Sequence, residues 1–351
     1  HCLVFTKMVK FTTDNIPARL NLRNICPEHE GLVWESYTNN YVYSKYNPIA
    51  TINYLSGREF ICSCAFSEVD DELLIGTSFG NVKVFDLRSG KERTTYGCHE
   101  HPINTLLLRR DGKFLITACE WRRSDSTMWR MVDNNIDDDG MFLWHSRVEF
   151  SNVCQDKIIA TTLSTGVMYD VETQEEIAEF SSDTTNGYSM NRATLNPTDK
   201  LVLSDGVLYD VLSRKVVHCL NKTSSILNGV FHPNGIDVIS GSEVIDLRIF
   251  KSFATLPDIK DCLIHFTGSV FFSHRVGYEN QATYAFEGFS MAFKCHDGSS
   301  YSEIATFDVG KNVYEMSVSN SGALLAVVQN SDYGDDSVSS SCVKVYHLGG
   351  S

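Results

Sequence analysis

Residues 191–211 read NRATLNPTDKLVLSDGVLYDV, and this stretch contains the pattern on which the fold depends. A short apolar run stops at Asn196-Pro197-Thr198-Asp199, a second run follows, and a third run ends in the pair Tyr209-Asp210. Asn, Asp and Gly tolerate positive φ and Pro pre-sets φ, so such a cluster closes a tight turn between two strands. The stretch therefore predicts a unit of antiparallel strands joined by short turns.

The same unit recurs along the chain. Comparable first turns are Arg110-Asp111-Gly112, His232-Pro233-Asn234-Gly235 and Asn320-Ser321-Gly322. Third strands end in pairs such as Phe85-Asp86, a degenerate form of the Trp-Asp ending of WD repeats. Seven apolar residues near the ends of the first strands mark the copies, 35 to 52 residues apart with a mean of 42: Phe66, Leu108, Phe150, Leu195, Phe231, Phe266 and Val318. This period predicts an all-β fold, a seven-bladed WD-type β-propeller.

The two ends of the repeat region are expected to complete one blade together. The last third strand, over 342–348, has no fourth strand after it, and residues 49–55 offer one before the first complete blade. Pairing residues 48–55 with the last blade would remove an open sheet edge. We therefore expect one propeller domain over 46–351 and a preceding arm over 1–45, in which 16–24 forms a short helix begun by Pro17.

Two polar segments interrupt the repeat. Residues 124–140 occupy the place of the third strand of the second blade and include Asp137-Asp138-Asp139. Their polarity predicts a long loop there. A similar insert, over 330–341, is expected within the seventh blade.

Composition excludes several classes of partner. The chain has 30 Lys and Arg against 44 Asp and Glu, a net charge of −14, which argues against nucleic acid and anionic membrane as direct ligands. No apolar run reaches the roughly 18 residues that a membrane span needs. The 11 cysteines are dispersed without a C-x-x-C pair, which predicts a reducing compartment, the nucleus or the cytoplasm.

Catalytic motifs do not occur in the sequence. There is no G-x-S-x-G elbow, H-E-x-x-H helix or phosphate loop, and the Gly-rich stretch 76–80 is predicted to be a hairpin turn. The 11 His are expected at one per blade or fewer. Cys98-His99-Glu100-His101 could offer metal ligands, but a loop before a strand is the favoured interpretation. We therefore expect no catalytic residues, no metal and no cofactor.

A binding surface is expected on the connections between strands. Connections from the second to the third strand, and from the fourth strand to the next blade, share one face of a WD-type ring. Trp and Arg are frequent anchors of protein interfaces, although a loop Trp can equally pack beneath its own loop. The candidate binding residues on this face are Glu100, His101, Trp121, Arg122 and Tyr188.

The opposite face carries the ends of the third strands. There Phe85-Asp86-Leu87-Arg88 and Ile245-Asp246-Leu247-Arg248 each place an Arg two residues after the Asp. Two copies of this pattern on one rim indicate a possible docking contact. The alternative for each Arg is an exposed ion pair with a neighbouring carboxylate.

The residues quoted above resemble one particular family. Residues 191–211 and the segments Gly229-Val230-Phe231-His232-Pro233-Asn234-Gly235 and Ile245-Asp246-Leu247-Arg248 are similar to the propeller of the Vpr-binding protein family, and the likeness extends from about residue 16 to 348. These are substrate receptors of cullin 4 type ubiquitin ligases. The resemblance implies a carboxy-terminal propeller of a longer receptor that has helical repeats, a LisH motif and an acidic tail.

The resemblance also implies docking to the damaged-DNA-binding adaptor of these ligases, through a helical arm and W-D-x-R rims. The matching adaptor-binding residues are Arg19, Leu20, Leu22 and Arg23 in the arm and Asp246 with Arg248 on the rim, and Arg88 fits the pattern in another blade. Ile245 replaces the Trp of the motif, and Leu212 stands where a second Arg is expected.

The function expected from the resemblance is that of a non-catalytic receptor subunit. The arm and rim would hold the adaptor while the opposite face presents protein substrates. The alternative is a WD-repeat scaffold unrelated to ubiquitin transfer.

Overall fold

The apolar runs of the repeat form strands in the computed structural model of the chain, and these strands group into seven antiparallel sheets. No helix among the described residues has the length and apolar content needed to span a bilayer. The structure describes residues 39–348 except for 41, 45, 55–58, 120–124, 133–134, 138–139, 144–146, 163, 184–185, 223, 225, 280–285, 332, 335–336 and 339.

The first strand of the chain, β1 (Pro48–Tyr54), belongs to the last blade. Blade 1 contains β2 (Ile61–Phe66), β3 (Glu72–Thr77), β4 (Asn81–Asp86) and β5 (Glu92–Gly97). Blade 2 contains β6 (Thr105–Leu108), β7 (Phe114–Cys119), β8 (Asp125–Val132) and β10 (Met141–Phe142), with the short β9 (Asn135–Ile136) paired to β8. Blade 3 contains β11 (Arg147–Phe150), β12 (Lys157–Thr162), β13 (Thr165–Asp170) and β14 (Glu176–Phe180).

The remaining blades follow the same order. Blade 4 contains β15 (Thr194–Leu195), β16 (Leu201–Ser204), β17 (Val207–Asp210) and β18 (Val216–Cys219). Blade 5 contains β19 (Val230–Phe231), β20 (Asp237–Ser240), β21 (Glu243–Asp246) and β22 (Lys251–Thr255), and a 3-10 turn (Pro257–Ile259) leads on. Blade 6 contains β23 (Cys262–Thr267), β24 (Val270–Arg275), β27 (Ala292–Asp297) and β28 (Glu303–Asp308). Blade 7 contains β29 (Asn312–Val318), β30 (Leu324–Asn330), β33 (Ser341–His347) and β1.

The seven-bladed propeller predicted from the repeat is confirmed. Each of the seven marker residues lies in the first strand of its own blade. The quoted turns close as expected: the Asp199 N–H donates to the Asn196 carbonyl and the Gly235 N–H to the His232 carbonyl, both at 2.9 Å. Asp199 has a φ of 55°, in the left-handed region that Asn, Asp and Gly tolerate best.

The core is divided among the seven seams between neighbouring blades. Each seam holds at least one apolar cluster contributed by both blades; between blades 4 and 5, for example, Leu203 and Leu208 pack with Phe231 and Val238. No blade covers its own apolar face, so each depends on the next. Stability of the ring therefore depends on every seam, including the one where the chain ends meet.

Strand β1 closes the ring by pairing antiparallel with β33, with Ile52 opposite Val343. Ile52 is 3% exposed and packs with Ile61 of blade 1, while Ile49 of the same strand is 59% exposed. Past the strand, the Glu59 carboxylate accepts hydrogen bonds from Tyr54 and Thr77, which ties β1 to blade 1.

The expectation of a loop over 124–140 is wrong. Most of the segment is strand: β8 pairs with β7 over its first six residues, and Ser126, Thr127 and Met128 are at most 2% exposed. Small polar side chains fit between paired strands because the ladder satisfies their main-chain groups. Trp129 is part of the blade, since its indole N–H donates to Thr117 Oγ1 at 2.8 Å.

Blades 6 and 7 carry short hairpins between their second and third strands. These are β25 (Tyr278–Glu279) with β26 (Phe286–Glu287), and β31 (Tyr333–Gly334) with β32 (Ser337–Val338). The second lies in the insert expected over 330–341. The first was not expected, although the widest spacing of the marker residues, 52, falls between Phe266 and Val318 and indicates extra length there.

Candidate interaction faces

Strand order gives the ring two faces of different construction. Within each blade the strands alternate in direction, so the turns from first to second and from third to fourth strand lie on one face, which we call the rim face. The connections from second to third strand and from each blade to the next lie on the opposite side, the connection face.

Aspartates end the third strands of five blades, and each carboxylate holds the turn that follows. Asp210 accepts the main-chain N–H of Ser213 at 2.7 Å, and Asp246 accepts that of Arg248 at 2.8 Å. Asp86, Asp170 and Asp297 accept the equivalent N–H groups of Ser89, Thr173 and Ser300. Hydrogen bonds from Ser213 hold the pKa of Asp210 below its usual value. These aspartates are turn caps in the isolated ring.

The two rim arginines differ in their surroundings. Arg248 folds back on the aspartate of its own turn: its Nε lies 3.0 Å from Asp246 Oδ1 and its Nη2 lies 2.5 Å from Oδ2. Its side chain is 69% exposed, so one side of the guanidinium faces outward. Arg88 is also exposed, and its charge lowers the pKa of Asp86 after the larger effect of the Ser89 hydrogen bonds. The adaptor contact of Asp246, Arg248 and Arg88 stays a prediction.

Exposed apolar side chains lie at the tips of several turns on the rim face. Leu212, in the position where the family motif has Arg, is 94% exposed, and Ile249, next to Arg248, is 60% exposed. Val69, Val153 and Ile236 are exposed at other turns of the same face. Four of these five residues belong to the consecutive blades 3, 4 and 5. Sequence reasoning did not single out these apolar tips, although Leu212 was visible as a departure from the motif.

The chain enters the ring at the rim face of blade 6. The Asn39 amide donates to Asp297 Oδ2 at 2.9 Å, and Ser269 Oγ donates to Asn39 Oδ1 at 2.8 Å. Asp297 and Ser269 both belong to rim-face turns, and Asn39 is 4% exposed. Tyr46 then packs edge-on against Phe307, with ring centroids 4.6 Å apart. The predicted arm helix and the arm residues Arg19, Leu20, Leu22 and Arg23 lie outside the described residues.

On the connection face, the segment Cys98-His99-Glu100-His101 is a structural loop. The main-chain N–H groups of Cys98 and His99 donate to the Gly80 carbonyl, and the His99 ring bonds to Thr117 at 2.6 Å. Gly80 has a φ of 79°, and a Cβ there would collide with the His99 carbonyl. Within the described part of the chain no three potential metal ligands converge on this loop. Glu100 is exposed and His101 is half-buried, so both can contribute to a surface.

Tyr188, the remaining described candidate on the connection face, is less accessible. Tyr188 is 6% exposed, and the Lys222 ammonium group lies 5.1 Å from its ring centroid. Asp205 holds the loop by accepting the N–H groups of Asn186 and Tyr188. A partner at this place would meet Lys222 before the Tyr188 ring. Trp121 and Arg122 lie outside the described residues, in the connection between β7 and β8.

Histidines are concentrated in blade 6, so the expectation of at most one per blade is wrong. His265, His274 and His296 lie on its first, second and third strands. Pairing of β23 with β24 brings side chains nine residues apart in sequence onto one face, a proximity that spacing alone does not reveal. The rings of His265 and His274 are stacked, with centroids 5.4 Å apart.

Burial of these histidines makes the ring sensitive to acid. Burial lowers the pKa of His296 from 6.5 to about 4; its ring is 3% exposed, stacks on Phe271 and bonds to Ser273 at 3.0 Å. Protons therefore bind His296 more readily in the unfolded chain, so the contribution of this group to stability is complete above about pH 6.5 and is lost as the pH falls towards 4. We expect His296→Gln to reduce the loss of unfolding free energy between about pH 7.5 and pH 5 by about 2 kcal/mol. Denaturant melts at the two pH values measure this, and an identical loss in both proteins would contradict the assignment.

Comparison with known proteins is consistent with this architecture. No family model matches the chain. The chain is 32% identical over 316 residues, or 89% of its length, to Protein mahjong of Drosophila melanogaster. It is 27% and 24% identical to proteins named DDB1- and CUL4-associated factor homolog 1 from Caenorhabditis elegans and Arabidopsis thaliana, over 91% and 95% of its length. The chain spans only 20%, 19% and 18% of these three proteins. Together with the seven-bladed ring, these matches show that the chain is a divergent relative of the Vpr-binding protein family, represented here by the DDB1- and CUL4-associated factor homologues.

Proposed function

We propose that this chain is the propeller module of a substrate receptor for a cullin 4 type ubiquitin ligase. The names of two relatives refer to DDB1 and CUL4, the adaptor and scaffold of such a ligase. The module would act as a non-catalytic subunit, in the nucleus and the cytoplasm. Its partners would be the DDB1 adaptor and protein substrates, with no direct contact to nucleic acid or membrane.

The observation that carries this proposal is the place where the chain joins the ring. Asn39 is fixed between two rim-face turns of blade 6, next to blade 5 with its Asp246–Arg248 pair. The arm therefore begins on the face that also presents the rim arginines and the apolar turn tips. A partner that holds the arm can reach the rim at the same time, which is the two-part docking that the family resemblance implies.

The connection face is left for substrates in this arrangement. Blades 6 and 7 add the hairpins β25–β26 and β31–β32 on that face, and blade 2 adds the 120–124 connection. Only blade 1, with a tight turn at Gly80, separates blades 7 and 2 along the ring. Hairpins and loops on a rigid scaffold are suited to recognition of a protein surface. Glu100 and His101 lie on this face, and Trp121 and Arg122 stay candidates for it from the sequence.

Calorimetry of the chain with purified DDB1 tests the adaptor contact. We expect a one-to-one complex with a dissociation constant of about 1 μM or tighter, since two docking elements act together. Excess free arm peptide, residues 1–45, should compete with the chain for the adaptor. A folded chain that shows no heat of binding at high micromolar concentration would contradict the proposal and favour the scaffold alternative.

A further inference from the structure

Three side chains from two blades converge at the seam between blades 6 and 7. They are His265 on β23, His274 on β24 and Glu315 on β29, and one nitrogen or carboxylate oxygen of each lies within 4.8 Å of those of the other two. His265 Nε2 is 3.5 Å from Glu315 Oε1. The inner strands of neighbouring blades bring these residues together from positions 50 residues apart in sequence.

Local backbone geometry aims the carboxylate at the histidines. The pairing of β29 with β30 shifts register between Val313 and Glu315, so one extra residue is accommodated there. Such bulges re-aim the side chain that follows and are frequent beside functional sites. On the other side, Leu263 pairs with His274 and His265 with Phe272, which makes the two histidines diagonal neighbours on one face of blade 6.

The histidine nitrogens of the cluster are only partly paired among the described residues. His274 is 2% exposed, and its ring nitrogens have no side-chain hydrogen-bond partner there, while a main-chain hydrogen bond with Tyr314 acts on its pKa. His265 Nε2 makes no hydrogen bond, although Glu315 Oε1 lies 3.5 Å away. Buried polar nitrogens are normally satisfied, so two such rings facing a carboxylate indicate that something outside the chain completes the cluster.

Two imidazoles and one carboxylate form a donor set for a transition metal. Imidazole nitrogen suits zinc, whereas calcium and magnesium prefer oxygen ligands. Ligands on one tetrahedral zinc lie about 3–4 Å apart, a spacing that the His265–Glu315 distance of 3.5 Å meets, and the His274 ligand atom lies within 4.8 Å of the other two. One feature opposes cation binding: the positive charge of Arg192 acts on both histidines. The Glu149 carboxylate interacts with the same guanidinium, and its negative charge counters that of Arg192.

We propose that His265, His274 and Glu315 bind one Zn²⁺ ion. The ion joins the first two strands of blade 6 to the first strand of blade 7, so it links the two blades across one seam of the ring. Three protein ligands leave one position for water. Because only the folded ring assembles the three ligands, the ion stabilises the folded state.

Zinc titration of the chain tests this proposal directly. The protein used for the titration has the substitutions Cys154→Ser and Cys219→Ser, because both thiols are exposed and thiolates bind zinc. It is first freed of metal with a chelator. With ZnCl₂ alone, we expect calorimetry to show one zinc ion bound per chain. The melting temperature should rise by about 2–6 °C at saturating zinc and should not rise in MgCl₂. No zinc binding by this folded protein overturns the proposal.

Variants assign the site to the cluster. His265→Gln and Glu315→Gln should each weaken zinc binding by at least about tenfold, while His347→Gln, at an exposed position outside the cluster, should not. The visible spectrum with Co²⁺ should show nitrogen and oxygen ligation without thiolate charge-transfer bands. Unchanged affinity in both cluster variants, or a thiolate spectrum, places the zinc elsewhere and overturns the proposal.

Discussion

Removal of residues 48–54 will abolish cooperative unfolding of the ring. This deletion takes away β1, which leaves the main-chain groups of β33 unpaired along an open edge. It also uncovers the cluster in which Ile52 packs with Ile61, Val343 and Val345. Because the core is divided among seven seams, an opened seam has no central core to compensate for it. Thermal melts by circular dichroism measure the effect, and a sharp transition at the original temperature would contradict it.

A matched pair of point variants tests whether β1 stabilises the ring through its buried side chains as well as through its strand pairing. Ile52 is 3% exposed and Ile49 is 59% exposed on the same strand. Ile52→Ala should lower the free energy of unfolding by about 2–5 kcal/mol, as buried truncations do. Ile49→Ala should stay within about 0.5 kcal/mol of the original. Equal effects in urea titrations would show that β1 does not act through the seam cluster.

Replacement of Leu20 and Leu22 by Asp will eliminate adaptor binding. Ile16, Leu20 and Leu22 lie in the predicted arm helix, and we expect these apolar side chains to enter a groove of the adaptor. Each fully buried aliphatic side chain contributes about 1.5–3 kcal/mol before ordering costs, so two buried charges remove most of the affinity. The melting curve of the ring should be unchanged. Calorimetry against DDB1 together with a thermal melt provides both measurements.

The effect of the arm changes on adaptor affinity is compared with the effect of a change at the rim residue Arg248. Arg248 is already engaged by Asp246 and is 69% exposed, so salt and water screen what it adds to a partner. Arg248→Glu should weaken adaptor binding by less than about tenfold, mainly through faster dissociation. Full affinity after the Leu20 and Leu22 changes would contradict the arm's role. Loss of ring stability in that variant would instead indicate that the stripe packs against the propeller.

The repeat was visible in the sequence because it depends on local chemistry. Turns such as 196–199 need residues that tolerate or pre-set particular φ values, and strands need apolar side chains at short range. Phe66, Leu195 and Val318 could therefore mark first strands without knowledge of any contact. The spacing of these markers was enough to predict seven blades.

Polarity was a misleading guide in the second blade. Residues 124–140 include Asp137-Asp138-Asp139, and the polarity of the whole segment predicted a loop. The strand forms because its neighbour β7 offers a complete ladder and the seam covers its small side chains. Both effects come from other segments of the chain, so the composition of this segment alone could not predict the strand.

The sequence by itself determined the repeat, its turn chemistry and the number of blades, since each turn and strand follows from neighbouring residues and the blades are counted as copies of that local pattern. The tertiary structure alone decided that Asn39 lies on the rim face, that Leu212 and Ile249 are exposed there, and that His265, His274 and Glu315 meet. These features depend on the pairing register and on the seam between blades. Register places a side chain on one face or the other, and ring closure brings distant strands side by side, so neither can be read from local sequence.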